Sequence, residues 1–403
     1  MDRRTDDSVD PMCTEHKIAI ARPFEGKRIP IGYRNFLERT HSLYKDISSS
    51  QGSLIRYWQK TTEVISSESR FTIIIPVHNE EESLEAVAES LCRSFIPNEV
   101  GVYIVFILNG CTDKSEDIIT NFLGSIGTVR KRRVSKREFI YYKEPGINSI
   151  YFEVSRGNNV WRVYQTKTLG KANALRLGSQ MACYMGHRIL LSIDANNYIE
   201  PSTIALMFRS AHLHFVKHRD GTVILSAPHK SEYKKEPNYL ERLLREHGVF
   251  DDATYTTIYG CCMAVEPNWV GINIRPVAIE DYAMGVVARV QGAKVRVLKD
   301  ARVWGYKTDL RDSFNQTRRY IRGIIQLLHL CPELKHVIVS DHYIMRPINS
   351  RISAIAAWIK SDPKNILRYL WRFIYGELNL ALAKYDYFIN PTNQSWKSLS
   401  STK

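Results

Sequence analysis

A short apolar run that ends in oxygen-rich polar side chains limits the folds open to this chain more than any other segment. The run is Arg188-Ile-Leu-Leu-Ser-Ile-Asp194-Ala-Asn196-Asn197. Short apolar runs predict buried parallel strands, and ligands bind beyond the carboxyl ends of such strands. Carboxylate and amide oxygens suit a hard cation such as Mg²⁺ or Mn²⁺. The structural alternative is that Asp194 opens a loop and caps the helix after Pro201.

Length and charge restrict the class of protein and its partners. With 403 residues the chain can form one large domain with appendages, or two domains. Hydrophobic residues at 44% and charged residues at 24% are ordinary for a soluble globular protein. A formal net charge of +14 favours nucleic acid, an anionic membrane face or a nucleotide diphosphate as partners. Nucleic acid is the least favoured of the three, because no recognition motif accompanies the charge.

Cysteine usage and the first residues of the chain indicate a location. Seven cysteines, an odd number without a Cys-x-x-Cys pair, argue against both a disulfide framework and a zinc site. The N-terminus is polar and lacks a secretory signal pattern. No apolar run reaches the ~20 residues that span a bilayer. We therefore expect a cytoplasmic protein, either free or peripheral at the inner membrane face.

Hydrophobic patterns predict an α/β domain built on a parallel sheet. A strand over residues 71–76 precedes a helix over 80–93, and a strand over 102–108 precedes a helix near 115–123. This order favours parallel strands with right-handed crossovers. Further helices are predicted over residues 169–185 and 279–290, and further strands over 188–194, 223–227, 294–298 and 302–304.

The same patterns divide the chain into an N-terminal extension over residues 1–68, the α/β domain over 69–330, and a helical region over 331–403 packed on the core.

Residues 130–137 carry six basic side chains in eight. We interpret this run as a solvated, partly mobile loop in preference to an anionic contact surface, because charge runs usually solvate themselves. The aromatic C-terminal helices either pack as a lid on the core or rest on a membrane surface.

Five polar clusters follow predicted strands or begin predicted helices. They are Pro76-Val-His78-Asn79-Glu80, Asn109-Gly-Cys-Thr-Asp113, Gly170-Lys171-Ala-Asn173-Ala-Leu175, Asp194-Ala-Asn196-Asn197 and Ile279-Glu280-Asp281-Tyr282. With these clusters in this order, the chain resembles the family 2 glycosyltransferases over roughly residues 70–325. The resemblance implies the GT-A fold, an α/β fold in which helices flank a mostly parallel central sheet.

The resemblance assigns the first two clusters to a nucleotide-diphosphate sugar donor. Pro76, His78 and Glu80 would form one wall of the nucleotide pocket, with His78 where the family often has a Tyr beside the base. Asn109 stands where the family usually has an acid that reads the base edge. Its amide both donates and accepts, so uracil is allowed. Asp113 is either a donor ligand or a helix N-terminal acid.

The other three clusters would serve the diphosphate, a metal and the proton transfer. Lys171 matches the family's basic residue near the donor and would place positive charge beside the diphosphate. Asp194-Ala-Asn196 resembles the family's Asp-x-Asp, which implies Mn²⁺ or Mg²⁺ at Asp194 and Asn196, although an amide binds metal more weakly than a carboxylate. Glu280-Asp281 matches the family's Glu-Asp pair, whose Asp is the general base of inverting members. A capping role for these acids at a helix start is the alternative.

Weaker matches lie elsewhere in the chain. Gln316-Thr-Arg318-Arg319-Tyr320 resembles the Gln-x-x-Arg-Trp motif, which makes Arg319 a candidate donor contact; a basic amphipathic helix is the alternative. His229 and Tyr306 are loose candidates for contacts to metal or pyrophosphate. Gly260-Cys-Cys-Met-Ala lies where the family lines the acceptor pocket, and buried packing explains it equally well.

Together with the resemblance, these residues predict a metal-dependent, inverting glycosyltransferase that moves a hexosyl or N-acetylhexosaminyl group. The donor is a nucleotide-diphosphate sugar, with UDP favoured, and the acceptor is a sugar, a small molecule or a lipid-linked hydroxyl. One alternative is a sugar-nucleotide pyrophosphorylase, which would need a Gly-rich basic loop after the first strand. Another is a non-catalytic sugar-nucleotide-binding protein. The enzymatic prediction requires Asp194 and Asp281 to lie close together.

Overall fold

The computed structural model of the protein describes residues 70–94, 96, 100–142, 146–232, 258–307 and 309–392. The N-terminal extension expected over residues 1–68 lies outside the described residues. The strands are β1 (Arg70–Val77), β2 (Gly101–Asn109), β3 (Arg130–Arg133), β4 (Ile150–Arg156), β5 (Asn159–Thr166), β6 (Leu190–Ile193), β7 (Tyr198–Ile199), β8 (Thr222–Ser226), β9 (His229–Glu232), β10 (Cys262–Val265), β11 (Lys294–Val297) and β12 (Val303–Tyr306). The helices are α1 (Leu84–Cys92), α2 (Ser115–Ile126), α3 (Lys136–Tyr142), α4 (Lys171–Tyr184), α5 (Thr203–Ala211), α6 (Pro267–Asn273), α7 (Glu280–Val290), α8 (Leu310–Leu330), α9 (Lys335–Asp341), α10 (Ile348–Ser361) and α11 (Ile366–Ile389).

Nine strands of the described residues form one central sheet in the order β11-β8-β10-β6-β1-β2-β5-β4-β3. Strands β10 and β4 run antiparallel to their neighbours, and the other strands of this sheet share one direction. The predicted α/β class with a mostly parallel central sheet is therefore confirmed.

Strand β1 shows why the centre of the sheet is apolar on both faces. Every side chain of β1 from residue 71 to residue 77 is buried. Ile73 and Ile75 belong to one core with α1 and α2, whereas Ile74 belongs to a second core with α4. Successive side chains of a strand point to opposite faces, so a strand covered by helices on both sides is apolar throughout. The carboxyl ends of β1, β2 and β6 consequently lie side by side at one edge of the sheet.

A second, three-stranded sheet in the order β7-β12-β9 lies next to the loop that follows β6. The indole of Trp304 donates to Glu200 Oε1 at 2.8 Å. The hydroxyl of Thr203 donates to the carbonyl of Arg302 at 2.7 Å. These bonds attach residues 198–203, which directly follow the loop, to β12.

Between residues 332 and 389 the described part of the chain is mainly helical, as predicted. Helices α8 and α11 pack along each other, with Ile321 buried against Leu380 and Ala383. Arg318 of α8 forms an ion pair with Asp386 of α11. Among the described residues, no helix combines the length and the apolar character needed to cross a bilayer.

The interpretation of residues 130–137 as a loop is wrong. Arg130–Arg133 forms the exposed edge strand β3, which pairs antiparallel with β4, and α3 begins at Lys136. Arg132 lies 3.5 Å from Glu153 of β4. Basic side chains suit an edge strand, because solvent reaches them and their charge opposes edge-to-edge association.

Candidate active site

Four predicted site residues meet at the carboxyl edge of the parallel strands. Asp194 directly follows β6, Lys171 is the first residue of α4, and Glu280 and Asp281 begin α7. Residues at such an edge come together even when they are far apart in the chain, because parallel strands all end there. The fold thus places Asp194 and Asp281 in one cluster, as the sequence-based prediction requires.

Lys171 joins the acids of this cluster. Its Nζ lies 2.7 Å from Asp194 Oδ1 and 3.0 Å from Glu280 Oε1, and it donates to the carbonyl of Gly260 at 3.0 Å. Burial by itself lowers the pKa of Lys171, and the surrounding carboxylates of Asp194, Glu280 and Asp281 more than offset it, so the net pKa is raised. Lys171 therefore carries a fixed positive charge.

The carboxyl of Asp281 has a pKa above the usual range of an aspartate. Its pKa is raised from 3.8 to about 6, first by burial and then by the charge of Glu280, while Lys171 and the N–H of Tyr282 act in the opposite direction. That N–H donates to Asp281 Oδ1 at 2.8 Å. A carboxylate that is ionised near neutral pH and still has appreciable basicity suits proton abstraction from a hydroxyl.

Gly260 allows the backbone before β10 to lie against Asp281. A Cβ atom at this position would lie 2.5 Å from Asp281 Oδ2 and 2.8 Å from Asp281 Cβ. The carbonyl of the next residue, Cys261, accepts from the N–H of Asp194 at 3.0 Å. This backbone segment therefore contacts both aspartates, a role that sequence reasoning missed. The following strand β10 is buried in the central sheet, which favours the packing interpretation of Cys262.

The candidate residues for the nucleotide base lie between the ends of β1 and β2. Asn109 is 1% exposed, and its Nδ2 donates to the carbonyl of Gly170 at 2.8 Å. Its Oδ1 has no hydrogen-bond partner within the described residues. The ring of His78 is half-buried, and its Nδ1 lies 2.7 Å from the carbonyl oxygen of Asn109. The two predicted base-binding residues are therefore in direct contact.

Asp113 supports the turn rather than projecting from it. Its Oδ1 accepts from the N–H of Ser115 at the start of α2, and its Oδ2 accepts from the N–H of Glu81, both at 3.0 Å. These contacts correspond to the helix-terminal role that was one of its two interpretations. Pro76 is buried within β1.

Glu80 is buried where the loops after β1 and β6 meet. Its backbone N–H donates to Ser115 Oγ at 2.9 Å. The hydroxyl of Ser83 lies 3.1 Å from Glu80 Oε2 and 3.0 Å from the carbonyl of Ala195. Glu80 and Ser83 thus hold the loop beside Asp194 in place, and sequence reasoning did not identify Ser83.

The donor set around Asp194 determines which metal arrangement fits. Asp194 offers one carboxylate with its side chain 20% exposed, and Asn196 offers an amide. Within the described residues, no group of three or more His, Cys, Asp or Glu side chains is placed to hold a metal ion. Divalent ions at phosphate-binding sites are often held by one or two carboxylates together with phosphate oxygens. Because Asp194 Oδ1 is already paired with Lys171, Asp194 and Asn196 would hold a divalent ion only together with diphosphate oxygens.

Helix α8 lies beside the start of α7. The ring of Tyr320 lies 5.8 Å from the ring of Tyr282, the residue after Asp281. Arg319 is half-buried, and its Nε has no hydrogen-bond partner in the described part of the chain. Gln316 is exposed and Arg318 is paired with Asp386. Of this motif, Tyr320 alone is shown to contact α7.

His229 and Tyr306 lie on the second sheet. The ring of Tyr306 packs edge-on against Tyr198 at 6.4 Å. His229 Nε2 and Asn197 Oδ1 both approach Gly305, at 2.6 and 2.8 Å from where its Cβ would be. Asn197 donates its N–H to the carbonyl of Asp194 at 3.1 Å, which connects this group to the cluster. Asn197 was not among the predicted site residues.

No family model and no curated protein matches this sequence. Among solved structures, the chain is similar to a mannosyltransferase from Pyrobaculum calidifontis in complex with GDP-Man and Mn²⁺, with 12% identity and a TM-score of 0.45 over 84% of this chain and 97% of that protein. It is also similar to residues 1–349 of TarS from S. aureus in complex with UDP-GlcNAc, with 14% identity and a TM-score of 0.38 over 79% of this chain and 92% of that one.

A further similarity is to glucosyl-3-phosphoglycerate synthase from Mycobacterium tuberculosis in complex with phosphoglyceric acid. The identity is 14% and the TM-score is 0.35, over 59% of this chain and 71% of that protein. Because these identities and TM-scores are low, function is inferred from the site and not from these proteins.

Proposed function

We propose that the protein is a glycosyltransferase that moves a sugar from a nucleotide-diphosphate donor to an acceptor hydroxyl with inversion of the anomeric centre. The observation that carries this proposal is the cluster of Asp194, Lys171, Glu280 and Asp281 at the carboxyl edge of the sheet. It combines a cation for a diphosphate with a carboxylate of raised pKa. An inverting transfer needs both of these groups in one site.

Asp281 is the proposed general base. Its carboxylate takes the proton of the acceptor hydroxyl while that oxygen forms a bond to the anomeric carbon, on the face opposite the nucleotide. The bond between the anomeric carbon and the diphosphate oxygen breaks at the same time, and its electron pair goes to the diphosphate. Burial and the charge of Glu280 raise the pKa of Asp281. A higher pKa makes the Asp281 carboxylate a stronger base toward the acceptor hydroxyl.

Lys171 is the proposed partner of the departing diphosphate. Its three N–H groups already contact Asp194, Glu280 and the carbonyl of Gly260. Lys171 would therefore stabilise the leaving group through the charge of a fixed ammonium, without a direct hydrogen bond to the diphosphate. A divalent ion held by Asp194 and Asn196 would supply further charge stabilisation to the diphosphate. Mn²⁺ and Mg²⁺ are the candidates, because the available ligands are oxygen atoms.

UDP is the nucleotide that we propose. The bond from Asn109 Nδ2 to Gly170 fixes the amide orientation and leaves Oδ1 as a buried acceptor, so binding of a base there would require a local movement between the ends of β1 and β2. The N3–H group of uracil is a donor of matching character. His78 lies against Asn109 and would offer its ring for stacking on the base.

A donor panel and one substitution test the proposal. Nucleotide sugars are screened by thermal shift with Mn²⁺, and the best donor is assayed for release of nucleotide diphosphate with and without acceptors. Asp281→Asn should lower kcat by about 10²–10⁴-fold, the usual contribution of a general base, while the donor Kd changes little. Asp300→Asn is the matched control, since it makes the same chemical change at an exposed position. Undiminished turnover in Asp281→Asn, with Asp300→Asn active, would refute the assignment.

A further inference from the structure

Helix α11 exposes an apolar stripe along its whole length. Its members are 41% to 87% exposed, and at about 100° per residue their positions fall within one face of the helix. The α11 stripe consists of Leu367, Leu370, Trp371, Ile374, Leu378, Tyr385, Phe388 and Ile389. The helix has 24 residues, so the stripe is about 36 Å long at the usual rise per residue.

The other side of α11 already has its packing partner. Asn379, Leu380 and Ala383 are buried in the fold, and Leu380 and Ala383 contact Ile321 of α8. The α11 stripe is thus additional to the face that fixes the helix in the protein. Monomeric proteins seldom expose a contiguous apolar surface of this size unless it binds something.

The acidic side chains along the stripe are held by the fold. Asp386 is paired with Arg318 and Glu377 with Arg351. Asp362, just before the helix, accepts from Tyr369 at 3.1 Å. The two ion pairs neutralise the charges of Asp386 and Glu377, and the carboxylate of Asp362 accepts a hydrogen bond. The acids beside α11 therefore repel an anionic surface less than unpaired carboxylates would.

Basic side chains, in contrast, recur beside the stripe. Lys360 and Lys364, just before α11, and Lys384 within it are exposed. At about 100° per residue, Lys384 lies at the border of the apolar face. A long apolar face with Trp and Tyr, accompanied by exposed Lys, is the pattern of a helix that lies in the plane of a membrane interface.

We propose that the α11 stripe docks on an anionic lipid surface. Leu, Ile, Phe and Trp side chains of the stripe would enter the boundary between headgroups and acyl chains, and the exposed lysines would pair with lipid phosphates. The formal net charge of +14 acts in the same direction. Docking of this kind does not depend on the proposed transferase activity, so either inference can fail without the other.

Vesicle flotation of the full chain tests the proposal. The protein should float with phosphatidylglycerol-containing vesicles, bind phosphatidylcholine vesicles at least about tenfold more weakly, and lose binding as salt is raised. Trp371→Glu with Phe388→Glu should abolish flotation. The matched control is Ile272→Glu with Val297→Glu, which adds the same charge at two exposed apolar positions outside α11 and should float like the wild type. Melting curves of both double variants report whether the fold is intact.

Two outcomes would overturn the proposal. One is a wild-type protein that fails to float with anionic vesicles. The other is a wild-type dimer in light scattering that becomes monomeric only in Trp371→Glu with Phe388→Glu, which would assign the stripe to a second copy of the chain. Equal flotation of the two double variants would likewise exclude the stripe as the contact surface.

Discussion

The ammonium group of Lys171 lies among the carboxylates of Asp194, Glu280 and Asp281. When all four groups are ionised, the cluster has more negative than positive charge. A bound nucleotide diphosphate adds negative charge, and a divalent cation that arrives with it offsets the repulsion. In the proposed site, the charges of these side chains would therefore couple metal binding to donor binding.

Asp281→Asn should stabilise the protein at neutral pH while it removes activity. The pKa of Asp281 is about 6 in the folded protein, against an ordinary 3.8. Between about pH 4 and pH 6 the native state therefore keeps a proton on Asp281 that the unfolded state has released. Stability therefore falls as pH rises from about 4 to about 6, and the penalty is fully present at pH 7. Asparagine removes the charge and keeps an acceptor for the N–H of Tyr282. We expect a gain on the order of 1–3 kcal/mol in the free energy of unfolding.

Urea unfolding at pH 7 and near pH 4 measures this effect. The gain should be present at pH 7 and absent near pH 4, where Asp281 is protonated in the native state. Asp300→Asn, at an exposed position, should show no such difference. An Asp281→Asn variant that is no more stable than wild type at pH 7 would contradict the raised pKa.

At the level of single residues, sequence could predict members of the site but not their supports. Asp194, Lys171 and Asp281 stand at the end of a strand or the start of a helix, where the chain pattern marks them. Gly260 has no such mark, because its function depends on a side chain of α7 that approaches it only in the folded chain. For the same reason the sequence left the role of Asp113 open, and its two backbone contacts became visible only in the structure.

Among the secondary-structure elements, α4 carries Lys171 and is held close to β1 by a glycine. A Cβ atom on Gly178 would lie 2.6 Å from Ile74 Cγ2 and 2.8 Å from its Cδ1. Gly178→Ala should therefore push α4 away from the sheet and destabilise the protein by about 1–3 kcal/mol. This loss is expected even though Ala is the better helix former by about 1 kcal/mol.

The pair Gly178 and Ile74 can be tested as a double-mutant cycle by urea unfolding. Ile74→Ala alone should cost about 2–5 kcal/mol through the cavity it leaves, and the double variant should lose less than the sum of the two changes. Gly124→Ala is the matched control, because it lies in α2 with nothing within 4 Å of the added Cβ, and it should be neutral or stabilising. Additive losses at positions 178 and 74 would contradict the contact.

Strands with continuous apolar sequence were predictable, and strands formed mainly by pairing were not. β1, β2 and β6 are buried on both faces and read as apolar runs. In β4 and β5 partly buried polar residues such as Glu153, Arg162 and Gln165 interrupt the apolar pattern, and in β10 the segment Cys262–Val265 is too short to signal a strand. The segment Cys262–Val265 is a strand because it pairs with β6 and β8. β3 was missed because its four basic residues lack any apolar pattern.

In the molecule as a whole, the C-terminal helices are linked to the site through aromatic rings. His342, after α9, lies 4.8 Å from the ring of Tyr282 and 5.7 Å from that of Tyr320. Tyr282 follows Asp281 directly, and Tyr320 belongs to α8, which packs on α11. The position of Asp281, the proposed general base, thus depends on helices that come after the central sheet in the chain.

Nucleotide and metal should stabilise the whole molecule cooperatively. Asp194 supplies one carboxylate, which already forms an ion pair with Lys171, so Mn²⁺ alone should raise the melting temperature little. UDP together with Mn²⁺ should raise the melting temperature by more than the sum of the two separate shifts. Saturation at about 100 times Kd corresponds to about 2.7 kcal/mol. Asp194→Asn should remove the dependence on Mn²⁺ and leave the shift with UDP alone nearly unchanged. A shift with Mn²⁺ alone as large as that with both ligands would show a preformed metal site instead, and the shared coordination proposed here would be wrong.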